Sequence, residues 1–359
     1  MQQKKFFISF LACLLILFIL SGFWFGKKKE KEQQAYGIGI ITPLTGHLAF
    51  LGESTKQGIE LATEEINKMG GINGKKIILI YEDTHSEPKG AVTAINKLIG
   101  VHKVPVIIGD VTSAATLAIA PIAERNRVVL LANGASTPKL REAGDYIFRN
   151  WNSDEFEAKV MAKFAIEELK VRKVVIVHVN NDYGLGLEEA FKEQFEKNNG
   201  RILEVLAYKE DEKNFRPYLL KIKELEPDAV YLAGFPKELG RLVRQAQELL
   251  IETQFLGSVG IKSSEFLKLA GKAANGIIFT APYFDPQSTE LIIQNFIKNF
   301  KDKYGRIPDI TAAVSYDALK LVANAIDKGG YNSEGIKRAL YETKNFPGVT
   351  GPTTFDQYG

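Results

Sequence analysis

From Tyr36 onward, short apolar runs alternate with longer stretches in which apolar residues recur every three or four positions. GIGIIT (37–42), KIILIYED (76–83), VPVIIG (104–109) and RVVLLA (127–132) are apolar enough to be buried on both faces, as strands of a parallel sheet are. Between the first two, Ile59, Ala62, Ile66 and Met69 fall at helical spacing, and Gly70-Gly71 closes that helix. The pattern restarts after Trp151. RKVVIVHV (172–179), RILEVLAY (201–208), DAVYLAG (228–234) and GIIFTAP (276–282) are strand-like, with helical spacing around 155–169, 185–198, 236–250 and 263–270. The last third, over 288–304, 311–328 and 333–343, is mainly helical. Strand–helix alternation of this kind predicts right-handed crossovers, hence an α/β protein with two doubly wound parallel-sheet lobes. In such sheets a ligand sits beyond the carboxyl ends of the strands.

The chain before Tyr36 follows different rules. Phe6 to Phe25 is almost unbroken hydrocarbon between Lys4-Lys5 and Lys27-Lys28-Lys29. Twenty such residues suffice to cross a bilayer as a helix. A secretory signal has a shorter apolar stretch and a small-residue cleavage site, for which Ser21-Gly22 is the candidate. Residues 1–35 are therefore read as a signal peptide or an N-terminal membrane anchor. The remainder is expected in the periplasm or on the outer face of the cytoplasmic membrane. Cys13 comes early for lipidation, with only seven of the twenty residues of the apolar stretch ahead of it, and reads as one more apolar residue.

Composition narrows the functional classes. The 359 residues are enough for two domains, and a single Cys forms no internal disulfide. The net charge is +3, but residues 1–35 carry six Lys against two Glu, which leaves the rest of the chain at −1. A nearly neutral folded part gives no basis for nucleic-acid binding through counterion release. His47, His85, His102 and His178 lie on different elements, so no metal site is expected. Gly37-Ile-Gly39 and Tyr183-Gly184-Leu-Gly186 begin like dinucleotide fingerprints, yet Thr42 and Glu189 stand where the third glycine belongs. Ser136-Thr-Pro-Lys139 has the SxxK spacing of acyl-transfer enzymes without their companion motifs, and Ser86-Glu-Pro-Lys89 has it equally. No nucleophile–base pair and no cofactor emerge.

Two loops carry more information. The run 104–109 leads into Gly109-Asp110-Val111-Thr112-Ser113-Ala114-Ala115-Thr116 and then a helix; the run 127–132 leads into Asn133-Gly134-Ala135-Ser136-Thr137-Pro138. Small residues and hydroxyls at a helix start leave backbone amides free and add neutral donors, a setting that suits an anion. Taken singly, each loop is equally a helix cap.

Several segments in order, among them ITPLTGHLAFLGESTKQGIELATEEINKMGGINGKKIILIYED, VPVIIGDVTSAATLAIAPIAE, ASTPKL, YIFRNWNSD, NNDYGLGLEEAF and KYGRIPDITAAVSYDALKLVANAI, give the chain a family likeness from Tyr36 to Gly359. It resembles the periplasmic solute-binding proteins of the leucine/isoleucine/valine-binding family, which serve branched-chain amino acid type ABC importers. The resemblance implies the type I periplasmic-binding fold, two lobes joined by a three-segment hinge that close on a ligand in the manner of a Venus flytrap. Residues 36–152 plus 284–359 would form lobe 1 and 153–283 lobe 2, with crossings near 150–154 and 281–286. It further implies that Ser113, Thr112, Ser136 and Gly134 hold a ligand carboxylate and that Tyr183 reaches in from lobe 2. Leu51, Phe235 and Trp151 would surround the apolar part. Relatives usually continue beyond the FDxxG turn, so the chain is expected to stop before the family's last strands.

One position departs from that pattern. Where amino-acid-binding relatives carry an acid for the ligand ammonium, FLGSVGIKS places Val259. An unpaired buried ammonium is costly, so either the ligand lacks an α-amino group or another acid, such as Asp182 or Asp110, substitutes. The expected function is a non-enzymatic receptor that delivers a small carboxylate or amino-acid-like solute to an ABC permease and its ATPase. A membrane-tethered sensing module of the same fold and an α/β enzyme are the alternatives.

Overall fold

The computed structural model describes residues 35–359, so the apolar segment 6–25 and Cys13 lie outside the described residues. Five strands, β1 (Tyr36–Thr42), β2 (Ile77–Asp83), β3 (Val106–Ile108), β4 (Val129–Ala132) and β5 (Ile147–Arg149), form one parallel sheet in the order β2-β1-β3-β4-β5. Five more, β6 (Lys173–Val179), β7 (Arg201–Tyr208), β8 (Ala229–Ala233), β9 (Gln254–Gly257) and β10 (Ile278–Phe279), form a second in the order β7-β6-β8-β9-β10. The two orders are the same pattern. Each reverses direction beside its first strand, which opens a crevice at the carboxyl ends of β1/β3 and of β6/β8.

Helices cover both faces. Over the first sheet lie α1 (Ala49–Lys68), α2 (Pro88–Lys97) and α3 (Ser113–Arg125); around the second lie α4 (Asp154–Glu167), α5 (Asp182–Lys197), α6 (Arg216–Leu225), α7 (Pro236–Glu248) and α8 (Ser264–Ala270). The chain then returns through α9 (Leu291–Tyr304), α10 (Ile310–Gly329) and α11 (Ser333–Tyr341), which pack on the first sheet.

Alternation within the apolar runs divides each sheet between two cores. Ile38 and Ile40 of β1 join Val106, Ile108, Val129 and Leu131 beneath α1 and α10, whereas Ile41, Ile107 and Leu130 face α2 and α3. In the second sheet Val175 and Val177 join Val230 and Leu232, while Val174 and Ile176 join Ala229 and Tyr231. α1 and α10 cross in direct backbone contact at Gly58, where a Cβ would stand 2.1 Å from the Ala312 carbonyl oxygen.

Three departures from the sequence pattern have simple causes. β5 and β9 span three and four residues, too short to show an apolar run between polar neighbours. GIIFTAP contributes only the two-residue β10 at a sheet edge. α1 begins at Ala49, ten residues ahead of Ile59, the first of its periodic positions, and its start carries Phe50 and Leu51, which with Leu48 pack into the core of the other lobe.

Candidate functional site

The first wall of the site is built by the loops after β3 and β4. Asp110 is fully buried, and its Oδ1 accepts the Thr112 amide at 2.6 Å, which fixes the approach to α3. Burial pushes the Asp110 carboxyl up to about 6, against the Thr112 hydrogen bond. The first turn of α3 presents the amides of Ser113, Ala114 and Ala115 ahead of the intrahelical bond from Thr116 N to Thr112 O, at 3.1 Å. Ser113 Oγ accepts the amides of Ser136 and Thr137, both at 3.3 Å, so its proton is left to donate elsewhere. The second loop must pass very close: a Cβ on Gly134 would lie 2.5 Å from Val111 Cγ2 and 2.7 Å from its carbonyl oxygen.

The opposing wall comes from the second sheet. Asn181 caps α5 by accepting the amides of Tyr183 and Gly184 at 3.1 and 3.0 Å, which sets the Tyr183 ring toward the cleft. Its hydroxyl lies 3.2 Å from Ser258 Oγ, and its ring centroid is 5.5 Å from that of Phe235. Burial, then the charges of Glu157 and Asp154, hold the Tyr183 hydroxyl neutral. Val259 opens the short 3-10 turn after β9, with its amide donated to Glu157 Oε1 at 2.8 Å.

Between these walls lies a cavity of about 810 Å³. The nine residues expected around the ligand line it, Leu51, Thr112, Ser113, Gly134, Ser136, Trp151, Tyr183, Phe235 and Val259, whereas the alternative acids Asp110 and Asp182 do not. They come from loops at the carboxyl ends of β3, β4, β5, β6, β8 and β9 and from α1, so doubly wound topology alone brings them together. Phe235 lines the cavity and is also 91% buried in the second lobe's core, since it is 9% exposed. Trp151 and Val259 pack against the first lobe's core. Phe50, Phe266, Phe279 and Ile307, unmarked in the sequence, extend the apolar lining.

The lobes touch across the opening. Lys139 Nζ meets Asp182 Oδ1 at 2.8 Å, His47 Nε2 meets Glu210 Oε2 at 3.1 Å, and Lys237 Nζ donates to the His47 carbonyl at 3.2 Å. Leu48 from the first lobe belongs to the core of the second. Asp182 pairs with Lys139, and Asp110 Oδ1 is held by the Thr112 amide while its Oδ2 is buried without a hydrogen-bond partner. His178, at the end of a buried strand, places Nδ1 3.0 Å from the Val179 carbonyl and is a satisfied interior residue.

The sequence reading missed Asp154 and Glu157. Ser153-Asp154-Glu155 and Glu157 look like an N-cap with the acidic first turn that helix dipoles favour, and Ser153 Oγ does accept the Glu155 amide. Their burial could not be seen without the fold. Desolvation pushes Glu157 up to about 7, opposed by its bonds to Val259 and Thr280. Asp154 is raised well above the usual carboxylate range, also by desolvation, while the Ser136 hydroxyl pulls the other way.

Two α/β lobes that meet over a cavity walled by helix-start amides, hydroxyls and aromatic rings define a cleft-type binding protein. The chain belongs to the periplasmic binding protein family, whose sequence pattern matches residues 35–359. It is 32% identical over 331 residues to a Leu/Ile/Val-binding protein of Rhizobium johnstonii, covering 90% of this chain and 88% of that one. Among solved structures it is similar to the leucine-binding protein LivK of Thermotoga maritima, with TM-score 0.86, 30% identity, and 90% and 92% of the two chains covered. It is likewise similar to the branched-chain amino acid transporter substrate-binding protein LivJ of Streptococcus pneumoniae, solved with isoleucine, with TM-score 0.85, 32% identity, and 90% and 93% covered.

Proposed function

We propose that this protein is the extracytoplasmic receptor of an ABC importer, binding a small amino-acid-like carboxylate between its lobes and handing it unaltered to a permease. The observation that carries the reading is the joint of the two anion-ready loops at Ser113, inside a cavity whose remaining lining is largely apolar. The carboxylate would take hydrogen bonds from the Ser113 and Ser136 hydroxyls and from amides at the start of α3, where the helix dipole favours negative charge. Leu51, Trp151, Tyr183 and Phe235 would cover the side chain. Lobe 1 would comprise 36–152 with 284–359 and lobe 2 153–283, turning about the crossings near 150–154 and 281–286. Because Tyr183, Phe235 and Val259 reach the ligand only when the lobes meet, binding shifts the population toward the closed form. The similarity to proteins named for Leu, Ile and Val binding supports the solute class.

The direct test is mass spectrometry of the small molecule retained through native purification, followed by titration calorimetry. A carboxylate bound one per chain and recovered unchanged is expected. A retained molecule without an acid group, or a solute converted to another compound, overturns the reading.

A further inference from the structure

The five strands of the first sheet are parallel, so their amino ends and the loops leading into them lie along one edge, opposite the cleft. That edge is strongly basic. It carries Lys68, Lys75 and Lys76 before β2, Lys97 and Lys103 before β3, and Arg125 and Arg127 before β4. Acids beside them are fewer: Asp145, Glu124, which accepts the Tyr146 amide at 2.9 Å, and Glu334, which Lys337 meets at 3.2 Å. Lys97 meets Glu82 at 2.6 Å, but Lys68, Lys75, Lys76, Lys103, Arg125 and Arg127 form no ion pair among the described residues. At the same edge of the second sheet, the chain ahead of β8 and β9 carries Glu224, Glu226, Asp228, Glu248 and Glu252. The basic excess belongs to one lobe.

Helix dipoles account for part of this pattern. Lys68, Lys97 and Arg125 lie in the last turns of α1, α2 and α3, where a cation is favoured whatever lies outside. Lys75, Lys76, Lys103 and Arg127 stand in the loops beyond those helices. The first two are held firmly. Ile72 and Lys75 exchange backbone hydrogen bonds at 2.9 and 3.0 Å, and the Lys76 carbonyl accepts the Tyr36 amide at 2.9 Å. Among the cations, Met69 is 77% exposed, Val101 70%, and Ile78 on the outermost strand 55%. Apolar side chains standing out between unpaired cations suit a surface of anionic head groups over hydrocarbon.

The chain's own connectivity brings such a surface near. β1 starts at this edge, and only the ten residues 26–35 separate Tyr36 from the apolar run that ends at Phe25. Ten residues reach at most about 35 Å. Four of them, Lys27, Lys28, Lys29 and Lys31, are also basic. We propose that the amino edge of the first sheet is a membrane-docking surface. Its cations lie against anionic phospholipid head groups, and the Met69 and Val101 side chains enter the interface. This rests on residues 6–25 staying in the bilayer and is independent of the nature of the solute. The cleft sits at the other end of strands about 23 Å long, so it faces away from the lipid and stays open to solute.

The test places the full chain in nanodiscs of phosphatidylcholine alone or with one-third phosphatidylglycerol, and follows amide hydrogen exchange by mass spectrometry. With phosphatidylglycerol, peptides over 68–78 and 98–105 should exchange at least threefold more slowly than with phosphatidylcholine alone. Peptides over 223–228 and 248–253 in the second lobe should be unaffected. In 1 M NaCl, where charges are screened within about 3 Å, the difference should vanish. Lys75→Glu, Lys76→Glu, Lys103→Glu and Arg127→Glu combined should abolish it too, with an unchanged thermal unfolding midpoint showing that the variant folds. Should it not fold, the salt comparison on the wild type decides alone. Equal exchange in the two lipids overturns the docking surface. So does slow exchange that survives both salt and charge reversal, which would mark contact with a second copy. A mature chain lacking residues 6–25 removes the tether and overturns it as well. The cleft reading fails separately, by a retained molecule without an acid group.

Discussion

Ser113 Oγ and the backbone amide of Ser136 are joined across 3.3 Å, which ties the start of one helix to a loop that follows the neighbouring strand. With the second bond from the Thr137 amide, it uses both lone pairs of the Ser113 hydroxyl on the protein and leaves its proton for a ligand. The same atom therefore fixes the shape of the anion-binding wall and contributes a donor to it.

Ser113→Ala with Ser136→Ala should weaken carboxylate binding by about 2–4 kcal/mol, two hydrogen bonds to a charged group. Ser113→Ala alone should also lower stability by about 1–3 kcal/mol, because it strands two buried amides. Calorimetry gives the first quantity and urea unfolding the second; unchanged affinity removes these hydroxyls from the site.

Gly134→Ala tests whether close approach, rather than backbone freedom, selects glycine. The added methyl would meet Val111 Cγ2 at 2.5 Å and its carbonyl oxygen at 2.7 Å. A loss of about 1–3 kcal/mol in stability is expected, with weaker ligand binding as the loop shifts. Adding Val111→Ala should recover only part of it, since the carbonyl clash stays. Full recovery in thermal unfolding would contradict the geometry.

Ligand-free stability should decline as pH rises from about 4 to 7. Glu157 goes from 4.5 to about 7 on folding, and Asp110 from 3.8 to about 6. Both bind protons more tightly folded than unfolded, so the folded state retains protons over that window which the unfolded chain has released. Stability is then largest at the acid end and is lost as pH passes through the folded values, by at most about 1.4 kcal/mol per pH unit per group. Asp83, held below its ordinary value chiefly by the Thr45 hydrogen bond acting against desolvation, works in the opposite sense but only below this window. Urea midpoints from pH 4 to 8 should show the slope, and Glu157→Gln should flatten its upper half.

The contact between Lys139 and Asp182 bridges the lobes but is exposed, at 62% and 34% of the two side chains. Lys139→Ala should therefore reduce affinity only severalfold, consistent with about 0.2–1 kcal/mol, and more at low salt. Small-angle scattering should show the ligand-free variant more open than the wild type. A hundredfold loss would mean that this pair, rather than the buried lining, drives closure.

Much of the fold was legible because it rests on local periodicity. The apolar runs of β1, β6 and β8 and the helical spacing of α1 and α10 appear in the sequence without reference to any other part of the chain. The candidate lining was legible for a related reason: in a doubly wound sheet, residues just after strands converge, so Thr112, Ser113, Gly134 and Ser136 are placed by topology once the strands are known. Asp154 and Glu157 were hidden because their local context, a serine cap and an acidic first turn, is what any exposed helix start looks like.

The sequence by itself determined the two layered lobes, the hydroxyl-bearing loops and the apolar character of the cleft, because each depends on residues near one another in the chain. Only the tertiary structure decided which charges are buried and unpaired. That is a property of distance between segments such as α4 and the turn at Val259, 102 residues apart in sequence yet joined by a 2.8 Å hydrogen bond. Whether a carboxylate is a solvated helix cap or a buried, desolvated acid depends on the water its neighbours exclude, and those neighbours come from other elements of the fold.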